Sequence, residues 1–194
     1  MNKKYLLLLF IVASALIYWF FIRSSDVDHG PKQAPIQVGK HSDRFNEKME
    51  QLIQAYQLLG VAFAQEDTLL VRSRVPVLLQ AADSLPLDEL KKDTASVLES
   101  VRIQLNDLRL NAESINQQTS LTEMRQDYRM VGECLYPLLK TIVYRGKLLY
   151  WLRCPTAFGD GRDANWLSND REGIQNPFTG KAPSTNLEVL DSLH

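Results

Sequence analysis

Cysteine and histidine are scarce in this chain. It holds two cysteines, Cys134 and Cys154, and three histidines, His29, His41 and His194. Two cysteines permit one disulfide without requiring it. Their spacing fits no zinc pattern, since the histidines that would have to help lie towards the ends of the chain. No histidine occurs between His41 and His194, so a serine or cysteine hydrolase would lack its usual base. No residue pair suggests nucleophilic or acid–base work, and an enzyme is the least expected class. Surplus positive charge is missing too. The 22 bases face 23 acids, and Lys3, Lys4 and Arg23 precede every acid. Residues 24–194 thus keep 19 bases against 23 acids, a net charge of -4. A nucleic-acid partner calls for a basic face, and none is expected here. No internal repeat is evident. The charges read as solvated helix faces, such as Glu89 with Lys92 and Asp107 with Arg109.

One long apolar run is present. Residues 5–22, YLLLLFIVASALIYWFFI, contain no charge. As a helix they span about 27 Å, close to the hydrocarbon thickness of a bilayer. Lys3 and Lys4 precede the run, so its N-terminal side is expected in the cytoplasm. Tyr18, Trp19 and Phe20 gather at the far end, where aromatic rings favour the interface. A cleaved signal peptide is the rival reading, but no small-x-small site follows the run. No cysteine stands nearby to carry a lipid. Residues 1–23 are therefore expected to be a single-pass inner-membrane anchor, with the remainder exported in either case. Residues 24–41 mix Ser, Gly, Pro and charges without a period and read as a flexible linker, with His29 and His41 solvated in it.

Four helical stripes follow. Residues 42–64 place Phe45, Met49, Leu52, Ile53, Tyr56, Leu59 and Phe63 at helical spacing, with Ser42 or Asp43 as the cap. Residues 67–84 carry Leu70, Val71, Val75, Leu78, Leu79 and Ala82, with Pro76 inside to kink or break the helix. After a turn at Ser84-Leu85-Pro86, residues 87–116 carry Thr94, Val97, Val101, Leu105, Leu108, Ala112 and Ile115. Residues 120–145 carry Leu121, Met124, Tyr128, Val131, Leu135, Leu138 and Ile142, and Pro137 predicts a bend. Such stripes are seams between helices. The expected class is all-α, an up-down four-helix bundle over residues 42–145. The Met and Tyr of the stripes are core, and Cys134 reads as a small buried hydrophobe. A domain of about 150 residues buries enough surface to fold without a metal or disulfide.

From Gly146 the helical period stops. Residues 147–153 form a short apolar segment, compatible with an extended run. Residues 154–180, CPTAFGDGRDANWLSNDREGIQNPFTG, are rich in Gly, Asn, Asp and Pro, yet include Phe158, Trp166, Ile174 and Phe178. A disordered tail would lack such anchors. Residues 146–194 are therefore expected as an irregular tail packed on the bundle, ordered to about residue 180, with Trp166 plugging a groove. The stretch from Asp160 to Asp163 lacks the alternating oxygen ligands of a calcium loop and reads as an ordinary turn.

In this tail the sequence resembles a C-terminal domain of unknown function found in exported proteins of Gram-negative bacteria, often attached to periplasmic adaptor subunits of heavy-metal efflux pumps. That family's ending runs Cys-Pro-Met-Ala, a Gly-rich turn, Ala-x-Trp-Leu-Ser, Ile-x-Asn-Pro-Tyr-Phe-Gly, then Leu-Thr-Cys-Gly. This chain supplies Cys154-Pro155, Ala157, Gly161, Ala164-Asn165-Trp166-Leu167-Ser168, Ile174, Asn176-Pro177-Phe178 and Gly180 in that order. Ala55-Tyr56 and the acidic Glu66-Asp67 turn resemble the family's first helix pair. The likeness covers about residues 45–180 and implies a four-helix bundle with the tail packed on it. The chain departs from the pattern where Thr156 replaces the Met and where the Leu-Thr-Cys-Gly segment is missing.

Two Cys and a Met together would suit Cu(I), because polarizable sulfur prefers soft ions. Only Cys154 survives of that set, so it is the one candidate metal ligand, copper the one candidate ion, and a structural or free thiol the preferred reading. Pro155, Asn165, Trp166, Asn176, Pro177 and Phe178 are expected to serve structure or a partner. The resemblance implies a membrane-anchored periplasmic accessory in metal homeostasis or envelope transport. It would act by binding another envelope protein, with metal ligation weakened or lost. The alternative is a structural or interaction module of the envelope unrelated to metal.

Overall fold

The computed structural model describes residues 38–159, 161–180 and 186–194. The expected anchor, residues 1–23, and all but the last four residues of the expected linker lie outside the described residues. Among the described residues no helix is long and apolar enough to cross a membrane.

The four helices form where the stripes place them, with shifted ends. They are α1 (Asp43–Ala64), α2 (Thr68–Asp83), α3 (Ala95–Ile115) and α4 (Leu121–Thr141). Local chemistry starts three of them. The Ser42 hydroxyl accepts the Phe45 N–H, Asp67 accepts that of Leu70, and Ser120 and Glu123 form a reciprocal capping box. The stripe residues are buried, apart from Leu70, Leu79, Thr94 and Leu121, which are half-buried. Burying a Leu, Phe or Met contributes about 1.5–3 kcal/mol each, and these stripes supply most of the core.

Each helix packs on the next. α1 also meets α4 where the rings of Tyr56 and Tyr128 stack with centroids 4.8 Å apart. Two glycines permit that approach. Tyr56 lies over Gly132, where an added Cβ would sit 2.7 Å from its hydroxyl, and Tyr128 lies over Gly60 in the same way.

Pro76 and Pro137 both lie inside unbroken helices, so of the two outcomes expected at Pro76 the break does not occur. Two expectations change here. The helix expected from residue 87 begins at Ala95, because Leu87–Lys92 form a 3-10 helix that buries Leu90 and ends on extended Asp93. Arg109 pairs with Asp83 of α2 at 2.7 Å. Residues two apart on a helix do not face each other, so Asp107 is not its partner. Glu89 and Lys92 do pair, at 3.3 Å.

The largest correction concerns the tail, which is not irregular, so the chain is not all-α. It forms a three-stranded antiparallel sheet of β1 (Leu149–Cys154), β2 (Ala164–Ser168) and β3 (Glu188–Leu193), in the order β2-β1-β3. Trp151 lies opposite Leu167 and Cys154 opposite Ala164, while Tyr150 lies opposite Ser192. A bulge between Trp151 and Leu152 shifts the pairing with β3. Order also extends beyond residue 180. The Tyr136 hydroxyl donates to Asp191 at 2.6 Å, Lys140 bonds the same carboxylate, and Trp151 stacks on Tyr136 at 4.6 Å. These contacts fasten the sheet to α4. The result is a mostly helical domain with a small sheet.

The end of the expected linker is tied down as well. His41 is not solvated; its side chain is 7% exposed and stacks on Phe45 at 4.4 Å. Its Nε2–H donates to the Ile142 carbonyl at 2.9 Å. Gly39 N donates to Asp93 at 2.7 Å and Ser42 N to Glu89 at 2.6 Å. Asp93 and Glu89 thus hold the chain leading into α1. His29 lies outside the described residues.

Candidate functional site

The tail residues singled out in the sequence converge on one seam between the sheet and the helices. Phe178 is its hub. Its ring meets Tyr128 at 6.0 Å, Phe158 at 5.7 Å and Trp166 at 5.8 Å, the last two edge-on. Phe63 of α1 adds a contact to Tyr128 at 5.0 Å. Edge-to-face rings gain about 0.5–1.5 kcal/mol beyond their buried area. Trp166, 3% exposed, is held by β2, whose Leu167 and Ala164 are also buried.

Polar groups fix the register of this seam. Asn176 is fully buried, and its Oδ1 accepts the Phe178 N–H at 2.9 Å, a tight local turn that aims Phe178 inwards. Arg125 of α4 donates through Nε to the Pro177 carbonyl at 2.8 Å and through a terminal nitrogen to the Phe63 carbonyl at 3.2 Å. The same nitrogen pairs with Glu66, which holds a left-handed φ of 58° just after α1. One guanidinium therefore joins the end of α1, α4 and the tail. The Asn165 side chain donates to Glu133 at 3.1 Å. Pro155 is half-buried and opens the loop between β1 and β2. Asp163 in that loop pairs with Arg153 at 2.6 Å.

Cys154 is buried completely at the end of β1, and the near group its sulfur meets is the Thr156 hydroxyl at 3.9 Å. Cys134 is half-buried on α4, near the Asn111 side chain. Burial, helped by Asp107 and Glu133, pushes its thiol up to about 11. Both cysteines are free. No group of three or more His, Cys, Asp or Glu that could hold a metal ion occurs among the described residues.

One expected anchor is not an anchor. Ile174 is 80% exposed. It stands on a loop shaped by its own side chains. Ser168 Oγ accepts the Asp170 N–H at 3.0 Å, and the two carboxylate oxygens of Asp170 accept the N–H groups of Glu172 and Ile174 at 3.0 and 2.9 Å. Between this loop and α1 lies a cleft of about 300 Å³. Gln57, Gly60 and Val61 form one wall, Tyr128 and Trp166 lie at its base, and Ser168, Asn169, Asp170, Ile174, Gln175 and Pro177 complete it. No Lys, Arg or His lines it. The Tyr128 phenol is raised well above its ordinary value by burial, then by the neighbouring Tyr56, and stays neutral. A second groove of about 360 Å³ runs between α1 and α2 past Leu58 and Val77, away from the tail.

Sequence reasoning found Trp166 and Phe178 but missed Gln57 and Arg125. Both look like ordinary solvated helix residues, and no spacing marks them. The chain matches no family model, no curated protein and no solved structure.

Proposed function

We propose that this chain is a membrane-anchored accessory domain of the cell envelope. It acts by binding another protein, without metal ligation and without catalysis. The observation that carries the reading is the formed cleft beside the tail, with Ile174 exposed at its rim on a loop that its own hydrogen bonds hold in place. Ile174 adds its exposed apolar side chain to a formed, mostly apolar concavity, the kind of site ligands and partners occupy. Against a metal role stands Cys154, sealed in the core with a hard hydroxyl beside it. The uncharged run at residues 5–22 behind Lys3 and Lys4 supports an inner-membrane anchor with the domain in the periplasm. The resemblance of the tail to domains attached to heavy-metal efflux adaptors supports a place beside envelope transport.

A photo-crosslinking residue placed at Ile174 in living cells tests the reading. A discrete adduct is expected there, and none when the same residue replaces Leu110, an exposed apolar side chain on α3 away from the cleft. Equal labelling at both positions, or none at either, would count against a partner at this face. A reporter fused after His194 is expected to be active only outside the cytoplasm, and a cytoplasmic signal would overturn the orientation.

A further inference from the structure

Helix α4 ends in a geometry that its own residue type opposes. The Tyr144 N–H reaches back to the Leu139 carbonyl at 2.9 Å and the Val143 N–H to that of Lys140 at 3.1 Å, the paired bonds of a Schellman ending. That ending holds Val143 at a left-handed φ of 52°. Glycine usually fills such a position, because a β-branched residue there brings its Cβ against the next carbonyl. Val143 gains little from burial in return, since it is 46% exposed. The loop that follows is firmly held. The hydroxyl of buried Tyr144 bonds Glu50 and lies 3.1 Å from the Lys147 carbonyl. Gly146 leaves room for this, since a side chain there would run into the Tyr144 hydroxyl and Glu50. On the same loop Leu148 is a second apolar side chain in solvent, 45% exposed. Arg145 is exposed and has no ion pair among the described residues. The Lys147 side chain is 85% exposed, and its ammonium stands 4.0 Å from Glu50.

The place of this loop says what it meets. His41 bonds the Ile142 carbonyl, so the loop stands beside the point where the chain enters the domain. Residues 23–40 alone separate that point from the apolar run at residues 5–22. The inference rests on the part of the reading above that puts this run in the inner membrane. We infer that the loop from Val143 to Leu148 is a membrane foot: Val143 and Leu148 enter the headgroup level of the bilayer that holds the anchor, and Arg145 and Lys147 bind its anionic phospholipid headgroups. Apolar side chains beside exposed cations suit such an interface, and each cation near an anionic surface strengthens attachment about fivefold. The left-handed valine fits this role. A side chain kept in solvent against the stability of its own turn serves something other than the fold.

The test uses the purified, isotope-labelled full chain in bilayer discs of phosphatidylcholine, alone or mixed with phosphatidylglycerol, with a paramagnetic group on a lipid headgroup. The readout is broadening of the Val143 and Leu148 methyl signals against that of Leu69, which is exposed at the start of α2, at the end of α1 remote from His41. In the mixed discs the two loop signals are expected to broaden and Leu69 to stay sharp, and the effect is expected to weaken in phosphatidylcholine alone. Val143→Gly relieves the left-handed valine. It is expected to raise the unfolding midpoint and yet to reduce the broadening at Leu148, a pairing that a merely structural loop would not show. Arg145→Glu alters a side chain without an ion pair and is expected to cut the broadening in mixed discs by roughly fivefold or more, with the unfolding midpoint unchanged. Loop broadening no greater than that of Leu69, equal broadening in the two lipids, or either variant contacting the bilayer like the parent would each overturn the inference. So would a lower midpoint for Val143→Gly, which would make that side chain part of the fold. If the chain enters the discs and the loop signals stay sharp, the anchor stands and the foot does not. A chain that fails to enter the discs removes the anchor, and the foot with it.

Discussion

Gly132 and Tyr56 show how finely the seam between α1 and α4 is fitted. A Cβ at position 132 would sit 2.7 Å from the Tyr56 hydroxyl, inside any normal contact. Gly132→Ala gains helix propensity of about 1 kcal/mol, yet the clash is expected to outweigh it and lower stability by about 1–3 kcal/mol. Tyr56→Phe removes the clashing oxygen. The double variant should therefore be more stable than the two single changes predict, and a denaturant-unfolding cycle measures this coupling. Trp166→Ala, which empties a buried ring site, is expected to cost about 3–5 kcal/mol. A loss under roughly 1 kcal/mol would place the ring at the surface. Part of this was readable beforehand, because large aromatics in a Gly- and Asp-rich tail have nothing to do but pack. Ile174 belongs to the same reading and fails it. Its neighbours bond their own backbone and carry it out to solvent, an arrangement that depends on turn geometry and not on hydrophobicity.

At the scale of elements, the helices were readable and the sheet was not. Stripes such as Val97, Val101, Leu105 and Leu108 repeat often enough to define a buried face. β3 offers no such signal. Its first three residues are exposed, Val189 and Leu190 do not alternate, and Leu193 alone is buried. Polar contacts dock it instead, through Asp191 to Tyr136 and Lys140. The Tyr136 hydrogen bond first, and Lys140 second, lower the Asp191 carboxyl from 3.8 to about 2. A carboxylate lowered on folding adds stability above its ordinary value and loses it as pH falls through the folded one. The docking of β3 should hold at neutral pH and weaken from about pH 4 down towards pH 2. The methyl signals of Leu193 report this directly. Asp191→Asn should remove the pH response and leave β3 looser at pH 7. A Leu193 signal unchanged down to pH 2 would show that the strand is held by other contacts. Arg125 plays the corresponding part for the segment at Pro177, which it ties to α4 and to the end of α1. Arg125→Met leaves the Phe63 and Pro177 carbonyls without their donor and is expected to cost about 1–3 kcal/mol in denaturant unfolding.

At the scale of the whole molecule, the proposed function makes the tail structural and gives the neighbouring cleft to a partner, and no group of three or more His, Cys, Asp or Glu that could hold a metal ion occurs among the described residues. A metal arm of the kind the tail motif resembles would need its sulfur ligands accessible and close together. Here Cys154 is sealed in the core, Thr156 stands where the family has Met, and Cys134 is half-buried on α4. Restoring the methionine by Thr156→Met should not create tight binding, since the second cysteine of the set is still missing. The most direct measurement is competition for Cu(I) between the purified full chain and a chelator of known affinity. Uptake is expected to be no tighter than that of an unrelated protein with one free thiol, and unchanged by Cys154→Ser. A tight, stoichiometric Cu(I) complex that disappears in Cys154→Ser would contradict it.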